Sequence, residues 1–323
     1  MRAILCSDFN SPLTLEQVDD PIISADDIRV KVAASGVNFV DALIVSGKYQ
    51  LKPALPYIPG FEVAGTVDMV GQNVSGFEIG ERVFATSGLS GGGYAERVAV
   101  NARNVFKLAE TMTFGQGATF VQSYCTALFA LTKRIQLAPG QTLLVLGASG
   151  GVGRAAVDVA KALGATVIAA ASSAQRLQTL AELAPDAVIN YTSEDLKTRA
   201  RELSGGGVDA VYDPLGGDYS EHSLRALTDD GSLLIIGFAA GHIPRLPSNQ
   251  VLLHNRRIVG VDWGGWRSAK PDSQRELMVR LGNMLSSGKL KPQEPTAWPL
   301  ASAAQALDAV NTRQVIGKLV LHP

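Results

Sequence analysis

Cysteine is nearly absent: Cys6 and Cys125 are the two in 323 residues. A disulfide framework or a thiolate metal knuckle needs several closely spaced cysteines, so neither is expected, and a reducing, cytoplasmic setting fits. Histidine is sparse too. His222, His242, His254 and His322 lie scattered late in the chain and read as surface or loop residues before ligands. Charge shows no excess of either sign, with 29 Lys and Arg against 30 Asp and Glu, so nothing in it suggests a phosphate-backbone partner such as DNA. Long apolar runs are missing as well: none approaches the roughly 18 residues of a membrane span. The segment from Met1 to Asp8 meets an acid before a signal-length run forms. A cytoplasmic protein with no membrane or nucleic-acid partner is therefore expected, and the pair Arg256-Arg257 reads as a solvated strand end.

Glycine, by contrast, is plentiful at 33 residues, and its placement is informative. The apolar Leu143-Leu144-Val145-Leu146 runs into Gly147-Ala148-Ser149-Gly150-Gly151-Val152-Gly153 and then into a helical pattern. Gly150 and Gly151 let the backbone pass close to a diphosphate, and Gly153 lets the helix lie tightly on the strand. The unpaired amides of the first helical turn, Val152 among them, face the anion. The strict fingerprint is G-x-G-x-x-G, and Ala148 stands at its first glycine, so the string alone also suits a plain strand-to-helix turn. Its surroundings favour the cradle. A helix from about Val152 to Leu163, the stop at Gly164 and a second apolar strand over 165–171 complete a βαβ unit, and a nucleotide is the expected ligand.

The end of that second strand selects the nucleotide. NAD binders place an acid there to hold the ribose hydroxyls. This chain has Ala170-Ala171-Ser172-Ser173-Ala174-Gln175-Arg176, with no carboxylate to repel a 2′-phosphate and with Ser172 and Arg176 to donate to one. NADPH is favoured over NADH. The same residues also read as a helix cap and a solvated arginine. Tyr191, leaving the third strand, reads as an adenosine neighbour or as a core-edge residue.

Short β-like segments broken by glycine and proline fill the first third, at 28–32, 62–67, 82–85 and 94–100, which predicts an irregular, barrel-like β domain. From about Val121 six apolar strands alternate with helical stretches, near 143–146, 166–170, 187–191, 208–213, 233–237 and 258–262, which predicts a doubly wound parallel sheet of α/β class. An amphipathic stretch at 272–287 and a last strand in Gly317-Lys318-Leu319-Val320-Leu321 complete the chain and are expected to pack back on the first domain. Ligands of an open parallel sheet bind beyond the strands' carboxyl ends, so chemistry is expected in the cleft between the two domains.

Together these segments resemble the zinc-free, zeta-crystallin-like quinone oxidoreductases of the medium-chain dehydrogenase/reductase superfamily. The likeness covers nearly the whole chain. It rests on Ala34-Ser35-Gly36-Val37-Asn38-Phe39-Val40-Asp41, Pro59-Gly60-Phe61-Glu62-Val63-Ala64-Gly65, the glycine loop, Ile189-Asn190-Tyr191, Asp213-Pro214-Leu215-Gly216-Gly217 and Gly317-Lys318-Leu319-Val320-Leu321. The resemblance implies a GroES-like catalytic domain over 1–122 and 263–323 and a Rossmann cofactor domain over 123–262. Zinc-dependent relatives have cysteine in the first motif and histidine in the second. Here Asn38 and Phe61 stand there, and a catalytic zinc needs three protein ligands, so no metal is expected.

By the same resemblance the nicotinamide lies near Thr126, Phe238 and Asn38, and the 2′-phosphate meets Ser172, Arg176 and Tyr191. Arg313 matches an arginine near the cofactor, and Lys318 and Arg313 also read as ordinary solvated charges. Asp41 and Glu62 read as structural partners. The expected function is hydride transfer from NADPH to a quinone, with the Asn38 amide and the Tyr49 hydroxyl donating to the substrate oxygen. Leu43 stands where some bacterial relatives have a pocket tyrosine, which makes the pocket more apolar. Two alternatives remain: a reductase of conjugated carbonyl compounds (enals, enones or enoyl thioesters), and a non-catalytic NADPH-binding protein. A homodimer is expected through the edge strand at 257–262, whose centre has neither proline nor charge to discourage pairing.

Overall fold

The computed structural model describes the chain from Met1 to Pro323 except Asn10 and Leu51. It forms two compact units, Met1–Val121 with Pro292–Pro323, and Gln122–Lys291. The expected return to the first domain at 263 comes at 292 instead. The helices Trp263–Ala269 and Pro271–Ser286 stay with the second unit. Trp263 Nε1 donates to Gln274 Oε1 at 2.8 Å, the Trp266 ring lies 4.6 Å from that of Phe129, and Met278 Sδ sits 3.2 Å from Cys125 Sγ. An amphipathic helix must bury its apolar side somewhere, and its own sequence does not name the partner.

Six parallel strands build the second unit's sheet, in the order Ala187–Asn190, Thr166–Ala171, Thr142–Val145, Val208–Asp213, Leu227–Ile235, Arg257–Gly260. In chain order this is 3-2-1-4-5-6, the doubly wound pattern. Right-handed crossovers on either side of the first strand then put helices on opposite faces, which is why the central strands are apolar on both sides. Leu143, Leu144, Val145, Val167, Ile168 and Val211 are all fully buried. Arg256, expected to be solvated, is buried at 6% exposure. Its guanidinium donates to the Leu227 carbonyl and, at 3.2 Å, to the Thr228 carbonyl. The long stem folds inward and the head satisfies backbone oxygens, so charge alone misled the expectation.

The first unit is a seven-stranded, mostly antiparallel sheet in the order Thr296–Pro299, Leu319–His322, Asp27–Val37, Glu62–Val70, Arg82–Thr86, Val105–Lys107, with Arg97–Asn101 also paired to Asp27–Val37. A two-stranded sheet of Arg2–Leu5 and Thr14–Gln17 adds to it. The eleven-residue strand Asp27–Val37 is the organiser, and register shifts between Arg29 and Val30 and between Val32 and Ala34 bend it. Its far end takes the tail strand, with Leu319 opposite Val37, which sets Lys318 beside Asn38. The strand Glu62–Val70, also paired to it, sets Val63 opposite Ser35, which puts Glu62 at the same corner.

Candidate functional site

The glycine loop leaves the first parallel strand and enters the helix Gly151–Ala162 directly. Gly147 has φ +54°, a left-handed backbone that favours glycine. At Gly153 an added Cβ would fall 2.3 Å from the Gly147 carbonyl oxygen and 2.9 Å from Ala148 Cα, so only glycine lets the helix turn in this close. Gly150 is different. Its φ of −82° suits any residue, and a Cβ there meets nothing nearer than the Gly147 oxygen at 3.3 Å. Room for an anion lies on that side, beneath the free amides of the first helical turn. Gly150, Gly151 and Val152 are half-buried, while Gly153 is buried.

Neighbouring strand ends gather around this loop because all six strands run the same way. Ala148 N–H donates to the Ala170 carbonyl at 2.9 Å, and Tyr191 N–H to the Ala171 carbonyl at 3.1 Å. The Ser172 side chain makes no hydrogen bond among the described residues, whereas its carbonyl accepts from Thr192 at 3.0 Å. The hydroxyl next to it does the capping: Ser173 Oγ accepts the Arg176 N–H at 3.2 Å and starts the helix Ala174–Gln178. The Tyr191 ring leans on Tyr219 with centroids 4.7 Å apart. Phe238 follows the fifth strand, 37% exposed, and lies close over Gly216. That loop is held by Asp213, whose buried carboxylate accepts Leu215 N–H and Gly216 N–H at 2.9 Å each and the Ser220 hydroxyl. Burial pushes the Asp213 pKa up while those three donors pull it back. Thr126, of the same unit, is buried in the helix Phe120–Phe129.

In the first unit the sequence-predicted Asn38 sits at the junction of the long strand and the helix Phe39–Val45, 5% exposed. Asp41 turns its carboxylate back to accept the Asn38 N–H at 2.8 Å, which caps the helix. The Asn38 carboxamide is engaged elsewhere. Its Nδ2 donates to Glu62 Oε2 at 2.9 Å, and its Oδ1 accepts from the Lys318 ammonium. Tyr94 OH adds a bond to Asp41 Oδ2 at 3.2 Å, while Asp41 Oδ1 is buried with no hydrogen-bond partner among the described residues. Burial pushes the Asp41 pKa up to about 7, against the pull of the Asn38 N–H, the Tyr94 hydroxyl and Lys318. Burial also draws the Lys318 pKa below its ordinary value, with Glu62 and Asp41 acting the other way.

Sequence reasoning missed Lys318 as part of this cluster, having read it also as a solvated charge. The signal was present: a single lysine opens the otherwise apolar run Leu319-Val320-Leu321, in a motif already singled out. Asp41 and Glu62 stand where a partner role requires, hydrogen-bonded to Asn38. Tyr49 N–H donates to the Leu43 carbonyl at 3.1 Å, and its ring packs on the cluster of Cys6, Ile44 and Tyr57. Arg313 is exposed and takes φ +59° just after the helix Ala303–Asn311.

The corner around Asn38 does not fit a catalytic zinc. Asn38 and Phe61 offer neither thiolate nor imidazole, and an ammonium occupies the carboxamide oxygen. Among the described residues no group of three or more His, Cys, Asp or Glu side chains is disposed to hold a metal. No helix among them is long and apolar enough to cross a membrane.

Comparison with known proteins agrees with both units. Residues 24–110 match the alcohol dehydrogenase GroES-like domain, and residues 151–280 match the zinc-binding dehydrogenase family. A quinone oxidoreductase-like protein 2 homolog from Nematostella vectensis is 34% identical over 99% of this chain and 88% of its own length. The crystal structure of Escherichia coli quinone oxidoreductase complexed with NADPH superposes with a TM-score of 0.91 at 28% identity, covering 100% of both chains. The CurK enoyl reductase gives a TM-score of 0.89 at 26% identity over 99% of this chain and 98% of its own. Full-length sequence identity and the shared two-unit fold place this chain among the quinone oxidoreductases of the medium-chain dehydrogenase/reductase superfamily, a family of oxidoreductases that use NADPH.

Proposed function

We propose that this chain reduces a quinone with NADPH and without zinc. The observation that carries the reading is the Asn38 carboxamide, anchored by Glu62 and Lys318 so that an N–H remains to donate to a carbonyl oxygen. Bound NADPH supplies the hydride. The amides of Gly151, Val152 and Gly153 receive its diphosphate beside Gly150, whose own N–H is held by the Gly147 carbonyl at 2.9 Å, Ser172 and Arg176 receive its 2′-phosphate, and Tyr191 borders the adenosine. Thr126 and Phe238 border the nicotinamide, with Arg313 nearby as a further charge. Tyr49 is a second donor to the substrate oxygen. These residues position and polarise, and the acceptor oxygen takes its proton from water or from Tyr49.

A second reading is favoured by the likeness to an enoyl reductase: the acceptor is a conjugated carbonyl compound, reduced at carbon. Hydrogen bonding from Asn38 serves both acceptors, since charge grows on the carbonyl oxygen in each. We further propose a cytoplasmic homodimer paired through Arg257–Gly260. That strand ends the sheet, Ile258 is 44% exposed on it, and Leu252 and Leu253 are 77% and 70% exposed just before it. The test is steady-state turnover of a panel of quinones and a panel of enals, enones and enoyl thioesters, each with NADPH. Faster quinone turnover supports the first reading, faster enal or enoyl turnover the second. No turnover of either, in protein that binds NADPH, refutes both.

A further inference from the structure

The Asn38 carboxamide lies clamped between opposite charges, its oxygen on the Lys318 ammonium and its nitrogen on Glu62 Oε2. Turned over, the amide would set NH2 against an ammonium and oxygen against a carboxylate, so one orientation is enforced. Glu62 takes one of the two amide hydrogens. The second has no acceptor among the described residues. Lys318 reaches this place through the pairing of Leu319 with Val37, across 280 residues of sequence.

Stability alone gives little reason for a lysine here. A buried ion pair contributes little net stability, and an apolar side chain of the same length serves as well at the edge of a core. Leu319, Val320 and Leu321, which follow it, are all buried. What the ammonium does have is an electronic effect on its neighbour. A cation on an amide oxygen draws electrons toward that oxygen, and linked hydrogen bonds polarise one another, so the remaining N–H becomes a stronger donor.

We propose that Lys318 is a positioning residue for the reduction: its ammonium holds the Asn38 carboxamide in one orientation and strengthens its second Nδ2–H as a donor to the substrate oxygen that gains charge. This rests on the hydride transfer proposed above. The acceptor gains a hydride, two electrons with one hydrogen, and its oxygen carries the charge until one proton arrives from outside the cluster. Lys318 keeps its own proton throughout. Positive charge in this corner thus comes from a side chain, at a place that offers a zinc ion no ligand set.

Two measurements test the assignment. In the protein without cofactor, selective 15N labelling of asparagine locates the Asn38 Nδ2 resonances. Lys318→Met should move them upfield, and Lys318→Arg should largely restore them. With the acceptor the wild type reduces fastest, Lys318→Met should lower kcat by about tenfold to a hundredfold, less than loss of an oxyanion donor itself, and leave the NADPH KM within about twofold. In an Asn38→Ala background the same substitution should have no further effect on kcat, because its path through the amide is gone. If Lys318→Met leaves Glu62 uncompensated and unfolds the chain, the double variant Lys318→Met with Glu62→Gln restores neutrality and must show the same loss. Unchanged amide resonances, unchanged kcat, or a full second loss in the Asn38→Ala background would overturn the assignment. If no acceptor is reduced, the hydride-transfer reading fails, while the resonances still decide whether Lys318 polarises Asn38.

Discussion

Placing the same side chain at two glycines of one loop separates a packing role from a binding role. At Gly153 a Cβ lands 2.3 Å from the Gly147 oxygen, more than about 1 Å inside van der Waals contact. The three nearest atoms are all backbone, so the helix must lift from the strand. Overpacking of this kind costs about 1–3 kcal/mol, toward the upper end for valine. At roughly 2–4 °C per kcal/mol for a domain of this size, Gly153→Val should lower Tm by about 6–12 °C. At Gly150 an added Cβ meets only one atom, at 3.3 Å, in a backbone conformation open to any residue. The cost of Gly150→Val is the weaker cap, about 1 kcal/mol or less, so Tm should fall by no more than about 4 °C. The branched side chain instead fills the space below the first helical turn. NADPH affinity should drop by at least about a hundredfold, equivalent to about 2.7 kcal/mol. Thermal melts and titration by nicotinamide fluorescence read both quantities. A folded Gly150→Val protein with unaltered NADPH affinity would show that the loop is only a turn.

Further outcomes follow from other parts of the structure. Arg176→Ala should weaken NADPH by roughly tenfold to a hundredfold, the worth of one charge-assisted contact at about 1.5–3 kcal/mol, and leave NADH nearly unchanged; equal losses for both would refute the 2′-phosphate assignment. Asp41 has a folded pKa of about 7 against an ordinary 3.8, so its contribution to stability is full below about pH 4 and is lost as pH rises toward 7. Asp41→Asn keeps an acceptor for the Asn38 N–H without that loss, and its Tm relative to wild type should rise between pH 5 and pH 8; a difference independent of pH would refute this. Dialysis against a strong chelator should leave activity and Tm unchanged, and stoichiometric zinc lost together with activity would contradict the reading of Asn38 and Phe61. Ile258→Pro removes a donor from the free edge of the strand, since Val261 N–H and hence Val259 N–H face the neighbouring strand of the same chain, and should give monomers by light scattering, whereas a wild-type mass of one chain at micromolar concentration would exclude the dimer.

Sequence by itself determined what local pattern and spacing can encode. The six strands of the parallel sheet, the helix after the glycine loop and the lack of an acid after the second strand all follow from residues within about twenty positions of each other. Order 3-2-1-4-5-6 is a common way to wind such a sheet, and the strand pairing of the folded chain selects it. Tertiary structure alone decided the pairings between distant segments. Lys318 meets Asn38 only because the tail strand pairs with the end of Asp27–Val37, a register no local pattern specifies. The helices Trp263–Ala269 and Pro271–Ser286 pack with the second unit because Phe129 and Cys125 are there to receive Trp266 and Met278. Arg256 is buried for a like reason: the Leu227 and Thr228 carbonyls needed donors, and the charge that marked it as a surface residue supplied them.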